Sequence, residues 1–501
     1  MSIAILASRA QLGVEAPPVT IEVFLSGGLP RFNVVGMPET AVRESSDRVR
    51  GAIINSGLPF PRERITVSLA PADMRKTGGR FDLAIALGIL CAQKAFPARS
   101  LEDTEFLGEL SLNGGLRAVP GALPAALRAR EAGNALVVPG ENAGEAALAG
   151  CVVYPAATLL DVIAHLRGAQ PIEAAPEVRP GPGDSEGPDL ADVRGQSHAK
   201  RALEIAAAGG HNLLLVGPPG TGKSMLARRL PGILPPMTDH EALETAGVDS
   251  VLGNRIDLAR WRQRPFRSPH HTASAPAVVG GGPGPRPGEI SRAHNGVLFL
   301  DELPEFSRHV LEVLREPLEA GVITISRAAQ QADFPARVQV VAAMNPCPCG
   351  YLGDSHGNCH CSRDRVASYR SKISGPLLDR IDLRVEVGRP PRETLRDGGA
   401  GGERSETVRQ RVTAARAVAL ARSGACNAEL DGDQLDSFCG TSDEGLSLLD
   451  AAVDRFGLSV RAYHRVLRVS RTIADLARAD RVDAPHVAEA LSMRALEQPG
   501  Y

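Results

Sequence analysis

The sequence predicts an α/β protein in three parts: a mixed N-terminal region, a central parallel α/β block and an almost entirely helical C-terminal block. Three observations carry this reading. A Gly-rich phosphate-binding motif follows an apolar strand and opens a helix. A second apolar strand, about 75 residues further on, ends in two carboxylates. The last hundred or so residues keep helical spacing throughout.

The N-terminal region spans residues 1–167. Ile21-Glu22-Val23-Phe24-Leu25 and Ile65-Thr66-Val67-Ser68-Leu69 alternate as half-buried strands do. Ala41 to Asn55 and Asp82 to Ala92 have helical spacing, and Ala135-Leu136-Val137-Val138-Pro139 reads as a short buried strand. Residues 168–188 and 389–405 are rich in Pro, Gly and charge with little to bury, so they read as linkers. They set off a central block, 189–388, and a C-terminal block, 406–501.

In the central block, His211 to Val216 reads as a buried strand. It leads into Gly217-Pro218-Pro219-Gly220-Thr221-Gly222-Lys223-Ser224, which fits G-x-x-x-x-G-K-[ST] at every fixed position. The glycines let backbone N–H groups wrap a triphosphate. Lys223 reaches the outer phosphates, and Ser224 offers a hydroxyl to Mg²⁺. The chain has five lysines against 51 arginines, so a lysine here is no accident of composition. Met225 to Leu230 continues as a helix.

Val297-Leu298-Phe299-Leu300-Asp301-Glu302 is the second strand, with its carboxylates where open α/β sheets bind ligands. Asp301 is expected to hold Mg²⁺ and Glu302 to polarise the attacking water. A further strand, Val338 to Met344, ends at Asn345. This amide either contacts the γ-phosphate or forms a turn before Pro346. Arg380, in Leu377-Leu378-Asp379-Arg380-Ile381-Asp382, is either a structural ion pair or a charge lent to a neighbouring subunit. In the C-terminal block the expected helices are Glu406–Arg422, Glu444–Phe456, Val460–Arg478 and Ala484–Arg494, with Ser459 and Asp483 as caps. Arg461 opens the third of these, either reporting nucleotide state or simply solvated.

Composition narrows the function. With 501 residues, 43% hydrophobic and 23% charged, the chain is an ordinary globular one. No apolar run is long enough for a membrane span, and no signal peptide is read, so a cytoplasmic protein is expected. The net charge of −2 gives no global basic field, so nucleic acid would have to meet local arginines.

The motif order resembles that of AAA+ ATPases. Arg264-Pro265-Phe266-Arg267-Ser268-Pro269-His270-His271-Thr272, Pro287-Gly288-Glu289-Ile290-Ser291, Ala342 to Gly350 and Ser374 to Asp382 sharpen this to the YifB/ComM family, magnesium-chelatase-like proteins. The resemblance covers nearly the whole chain. It implies a Lon-protease-like α+β N-terminal domain, a central AAA+ P-loop domain and a C-terminal helical lid. Asn345 matches sensor 1, Arg380 the arginine finger and Arg461 sensor 2. It further implies a homo-hexameric, ATP-driven DNA motor, a helicase promoting branch migration when incoming single strands recombine. DNA, and recombination or competence proteins, are the implied partners. The central block is also similar to MCM helicases, which carry a hairpin before sensor 1. Gly321 to Ala328 and Asp333 to Arg337 supply its strands here, and Arg327 matches the basic residue that meets DNA. A ring of such guanidiniums would grip phosphates without reading bases.

Three features need separate readings. Cys347-x-Cys349 and Cys359-x-Cys361 are two close thiol pairs that together suit a structural Zn²⁺, with His356 and His360 in reserve. Such a site would brace the loop between sensor 1 and the arginine finger. His270-His271, read as strand residues, point to opposite faces, so neither a metal nor a catalytic role is expected; a role in DNA contact or intersubunit signalling stays open. The glycines from 280 to 284 read as a mobile insert. In the Lon-like region, Lys76 to Leu87 and Gly114 to Gly133 carry the likeness. The window Gly79-Arg80-Phe81 has no Ser and Arg117–Leu127 has no Lys, so no Ser–Lys dyad is expected, though Ser68 and Lys76 lie nearby. The competing functions are a magnesium-chelatase-type ATPase subunit, a Lon-like protease and a nucleotide-switched scaffold.

Overall fold

The computed structural model describes residues 2–178, 180–181, 187–282, 284–327, 330–354, 359–390 and 402–494. No helix among the described residues is long and apolar enough to cross a membrane.

The N-terminal domain is built on a seven-stranded mixed sheet. Its strands are β1 (Ser2–Arg9), β2 (Pro18–Ser26), β3 (Arg31–Val35), β4 (Arg64–Ala70), β5 (Thr104–Phe106), β6 (Ala135–Pro139) and β7 (Val153–Ala156), in the spatial order β3-β4-β2-β1-β5-β6-β7. β1 pairs antiparallel with β2 from Ser2↔Leu25 to Arg9↔Pro18, and β2 with β4 in the same sense. The helix Asp82–Ala92 is buried at all eleven positions. A helix apolar all round has to be enclosed, and this one lies against β1 and β2. The helical spacing read over Ala41–Asn55 resolves into two helices, Thr40–Arg43 and Ser45–Asn55, that meet at Glu44.

The central domain is a five-stranded, wholly parallel sheet. Its strands are β8 (Leu213–Val216), β9 (Phe266–Arg267), β10 (Val297–Leu300), β11 (Gln339–Met344) and β12 (Leu383–Glu386), in the order β9-β10-β11-β8-β12. Strand β8, buried at all four positions, lies between β11 and β12. It starts two residues later than the apolar run suggests, because Asn212 is drawn out of strand pairing. Its backbone N–H donates to Asp382 Oδ2 at 3.1 Å and its side-chain amide to the Arg380 carbonyl at 2.9 Å. Between β10 and β11 the antiparallel hairpin Val322–Arg327 and Gln330–Pro335 stands out, in register from Val322↔Pro335 to Arg327↔Gln330. A smaller ladder, Gly280↔Pro287 and Gly281↔Arg286, closes the base of the stretch expected as a mobile insert, within which Pro283 lies outside the described residues. A Cβ on Gly280 would lie 2.7 Å from Ile325 Cδ1, so the two hairpins touch.

The C-terminal helices are Ser405–Ser423, Gly432–Cys439, Asp443–Phe456, Val460–Leu476 and Ala484–Ser492. Ser459 caps the fourth by accepting from Ala462 N–H. One continuous apolar cluster joins this lid to helix Ser197–Gly209 and one face of the parallel sheet; another fills the opposite face beneath the longer hairpin. Buried Arg471 and Asp475, 2.9 Å apart, pin the lid internally. The N-terminal domain docks on the central one through helix Asp239–Val251. Gly121 N–H donates to the Ser250 carbonyl at 2.8 Å, and Gln11 donates to the Val251 carbonyl at 3.2 Å. A cavity of about 1200 Å³ lies at this junction, between Asn142–Glu145 and Gly253–Asp257.

Candidate nucleotide site and arginine cluster

Because the sheet is parallel, β8, β10 and β11 all deliver their last residues to one end. Gly217 follows β8 directly; its N–H donates to the Met344 carbonyl at 3.2 Å. Gly220 and Gly222 adopt φ of 75° and 91°, values that glycine reaches at no steric cost. Helix Lys223–Ala227 starts immediately after them, so its free N–H groups face the loop. It is shorter than expected, and a second turn, Leu230–Ile233, follows it.

Lys223 is buried. Its ammonium donates to the carbonyls of Gly217 (2.6 Å) and Pro218 (2.9 Å) and to Asn345 Oδ1 (3.2 Å). Burial pulls its pKa below the ordinary lysine value, against the opposing charges of Asp301 and Glu302. Ser224 Oγ donates to Asp301 Oδ2 at 2.7 Å, so the two expected Mg²⁺ ligands already share one spot. A hydroxyl and a carboxylate are the hard oxygen donors that Mg²⁺ takes beside phosphate, so the residues fit the ion. Asp301 Oδ1 accepts from Glu302 N–H at 3.0 Å. Glu302 itself sits in the left-handed region, φ 53° and ψ 47°, a strained conformation for a non-glycine residue. That turn lifts its carboxylate out of the strand direction, and side-chain exposure of 53% leaves it open to water.

His271 was not expected here. The chain leaves β9 at Arg267, so the two histidines lie beyond the strand and are not thrown to opposite faces. Their rings lie 4.2 Å apart, and His271 Nδ1 comes within 3.1 Å of Glu302 Oε2. Only the return of the loop after β9 toward the end of β10 makes this contact, which no local spacing shows.

Arg380 and Arg461 lie elsewhere. Arg380 precedes β12, and its carbonyl accepts from Asn212, just before β8; both mark the starting end of the sheet. A four-residue strand rises about 13 Å, so that end is remote from the chain's own phosphate loop. The Arg380 guanidinium pairs with Glu319 and donates to the Pro376 carbonyl at 2.6 Å. Glu319 is held below the usual carboxylate range, first by Arg380, with Arg461 and Arg315 contributing charge. One turn beyond Arg461, Arg465 meets buried Asp382 at 2.9 Å. Burial opposes ionisation of Asp382, yet His211 and Arg465 hold its carboxyl far below the ordinary value.

The four cysteines converge. Their Sγ atoms all lie within 4.8 Å of one another, with Cys347–Cys349 at 3.4 Å, Cys349–Cys359 at 3.6 Å and Cys347–Cys359 at 3.7 Å. Zinc with tetrahedral Zn–S bonds of about 2.3 Å spaces its sulfurs about 3.8 Å apart, so the set fits. The Tyr351 backbone N–H, above all, draws the Cys349 thiol down to about 6. His356 lies outside the described residues. Arg327 closes the first strand of the longer hairpin, and its side chain is likewise outside what is described.

In the N-terminal domain, Lys76 is buried and its ammonium donates to the Pro71 carbonyl. Gly79 has no room for a side chain without displacing Glu109: an added Cβ would lie 2.6 Å from Glu109 Oε2. Arg80, buried, holds Gln11 at 3.1 Å and also the Pro120 carbonyl.

Three family models match successive stretches of the chain. The family model for the magnesium chelatase subunit ChlI matches residues 189–395, a second for subunit ChlI of Mg-chelatase matches 21–142, and one for the ChlI C-terminal part matches 402–494. The chain is 52% identical to the competence protein ComM of Haemophilus influenzae, over 99% of this chain and 98% of that one. It is 48% identical to the protein YifB of Escherichia coli, again over 99% and 98%. A shorter stretch, 38% of this chain and 18% of the other, is 24% identical to the DNA replication licensing factor mcm6 of Dictyostelium discoideum.

Proposed function

The chain belongs to the ComM/YifB family of magnesium-chelatase-like AAA+ proteins, and on that premise we propose that it is an ATP-hydrolysing ring motor that drives branch migration of DNA. The observation that supports this reading is the split of the catalytic groups between opposite ends of one sheet. Lys223, Ser224, Asp301, Glu302 and Asn345 gather at one end; Arg380 and Arg461 gather at the other. A ring of identical subunits apposes those ends.

In the assembled site the P-loop backbone and Lys223 hold the β- and γ-phosphates. Ser224 and Asp301 hold Mg²⁺, which supplies charge neutralisation when bound. Glu302 orients a water for in-line attack and takes its proton, with His271 fixing the carboxylate. Asn345 marks the γ-phosphate position. Arg380 of the adjacent copy, with its Arg461, meets the charge that develops on the transferred phosphoryl group. The cysteine set holds Zn²⁺. Arg327, at the hairpin tip, grips the DNA backbone within the ring.

ComM is named for competence, and the mcm6 stretch belongs to a replication factor, so DNA is the polymer this reading favours. The test is ATP hydrolysis with and without single-stranded and forked DNA, alongside a branch-migration assay. Several-fold stimulation by DNA and movement of a branch point are expected, and Arg327→Ala is expected to weaken both. No stimulation and no strand movement would leave a nucleotide-switched scaffold. The three ChlI matches favour one alternative, the ATPase subunit of a metal chelatase; such a subunit would be stimulated by its porphyrin-binding partners and not by DNA.

A further inference from the structure

The turn that carries the first cysteine pair touches the phosphate loop itself. Gly350, one residue past Cys349, has φ of 87°, and a Cβ placed on it would lie 2.6 Å from Pro219 Cδ and 2.8 Å from Pro219 Cγ. Pro219 is the third residue of the loop, and its neighbour Pro218 presents the carbonyl that holds Lys223. On the other side of the pair, Asn345 Oδ1 accepts from Lys223, and the Pro346 carbonyl accepts from Arg370 Nε at 3.2 Å and Nη2 at 3.1 Å. Arg389 pairs with Asp354 at 3.1 Å, tying the same loop to the chain just beyond β12. The cysteine turn is thus wedged between the γ-phosphate amide and the wall of the phosphate loop.

Apart from these contacts the segment has no regular structure of its own: its described parts, Gly350–Asp354 and Cys359–Cys361, contain neither helix nor strand. Of the four cysteines only Cys347 is buried. A loop so poor in apolar contacts takes its form from its cross-links.

We propose that the Cys347–Cys349–Cys359–Cys361 set is a zinc site whose occupancy controls nucleotide affinity, the ion clamping Gly350 against Pro219. The inference rests on the ATP reading of the P-loop given above. Four thiolates select zinc over the hard Mg²⁺ of the nucleotide, so the two ions do not compete. With zinc in place the turn is fixed, and Gly350 supports Pro219 from behind. Without it, the turn relaxes, Asn345 and Pro219 lose their common support, and the phosphate cradle is no longer preformed. Nucleotide binding then carries the cost of ordering the loop.

The test uses the full chain, with zinc measured by mass spectrometry and affinity by titration with a fluorescent ADP analogue. Wild type should hold roughly one zinc per chain. Cys359→Ser with Cys361→Ser should lose it and bind the nucleotide at least tenfold more weakly. Gly350→Ala keeps every cysteine, should retain zinc, and should also bind severalfold more weakly because its methyl meets the Pro219 ring. It carries the test where the cysteine variant does not fold. Zinc below about half an equivalent in wild type would overturn the site. Loss of zinc with unchanged affinity, or unchanged affinity in Gly350→Ala, would overturn the coupling. Equal nucleotide binding by wild type and Lys223→Ala would instead overturn the P-loop reading, so the two failures are told apart.

Discussion

At the end of the central sheet where the strands finish, Lys223 meets the Asn345 amide, Ser224 meets the Asp301 carboxylate, and the Glu302 carboxylate stands beside them against His271. At the end where the strands begin, Arg380, Arg461 and Arg465 gather around Glu319 and Asp382, with no phosphate loop near them. The first end carries the phosphate loop with Lys223, the Ser224–Asp301 pair and the exposed Glu302 carboxylate. The second carries the three arginines and, among the described residues, no phosphate loop. On the ring proposal, this separation would place catalytic completeness at the contact between two copies and not in the single chain.

Changes at either end put this contrast at risk. Lys223→Ala should abolish hydrolysis and nucleotide binding together, in steady-state and titration assays. Arg380→Ala should cut turnover by about 10³-fold while nucleotide still binds, the size expected of an arginine supplied in trans. Mixing the two inactive variants should restore measurable turnover, because some interfaces then pair an intact loop with an intact arginine; no recovery at any ratio would break the comparison. Asp382→Asn should cost about 3–5 kcal/mol of unfolding free energy, since it leaves buried His211 and half-buried Arg465 without their counter-charge. The folded-state pKa of Asp382 lies below its ordinary value of 3.8. Its stabilisation is therefore fully present above that value and lost as pH falls beneath it. Denaturant midpoints should not move on its account between pH 7 and 5, and wild type and Asp382→Asn should converge only in stronger acid. His271→Ala should give the smallest change, about a tenfold fall in kcat with KM unaltered, because it removes only the orientation of Glu302. A large rise in KM would show that His271 contacts nucleotide instead.

Much of the finishing end could be read from sequence, since its chemistry is local. The P-loop, the Asp301–Glu302 pair and Asn345 each follow an apolar run, and in a parallel sheet every such run ends on the same side. The cysteine pairs were readable for the same reason: two short spacings announce one cluster. What escaped depends on how separate loops return. His271 lies beyond a strand of only two residues, so the alternation rule applied to it had no strand to act on. The pairing of Arg380 with Glu319, and the approach of Gly350 to Pro219, join segments whose distance in the chain carries no pattern. The approach of Gly280 to Ile325 likewise joins two hairpins with no shared pattern in the chain.

The Arg380–Glu319 pair has a consequence for subunits outside any ring. On the ring reading proposed above, Arg380 of a lone chain stays paired with Glu319, an acid still open to water. Such an exposed pair holds the guanidinium only weakly, so docking would exchange it for phosphate at little cost. The acid would then act as a parking place for the arginine until the circle closes.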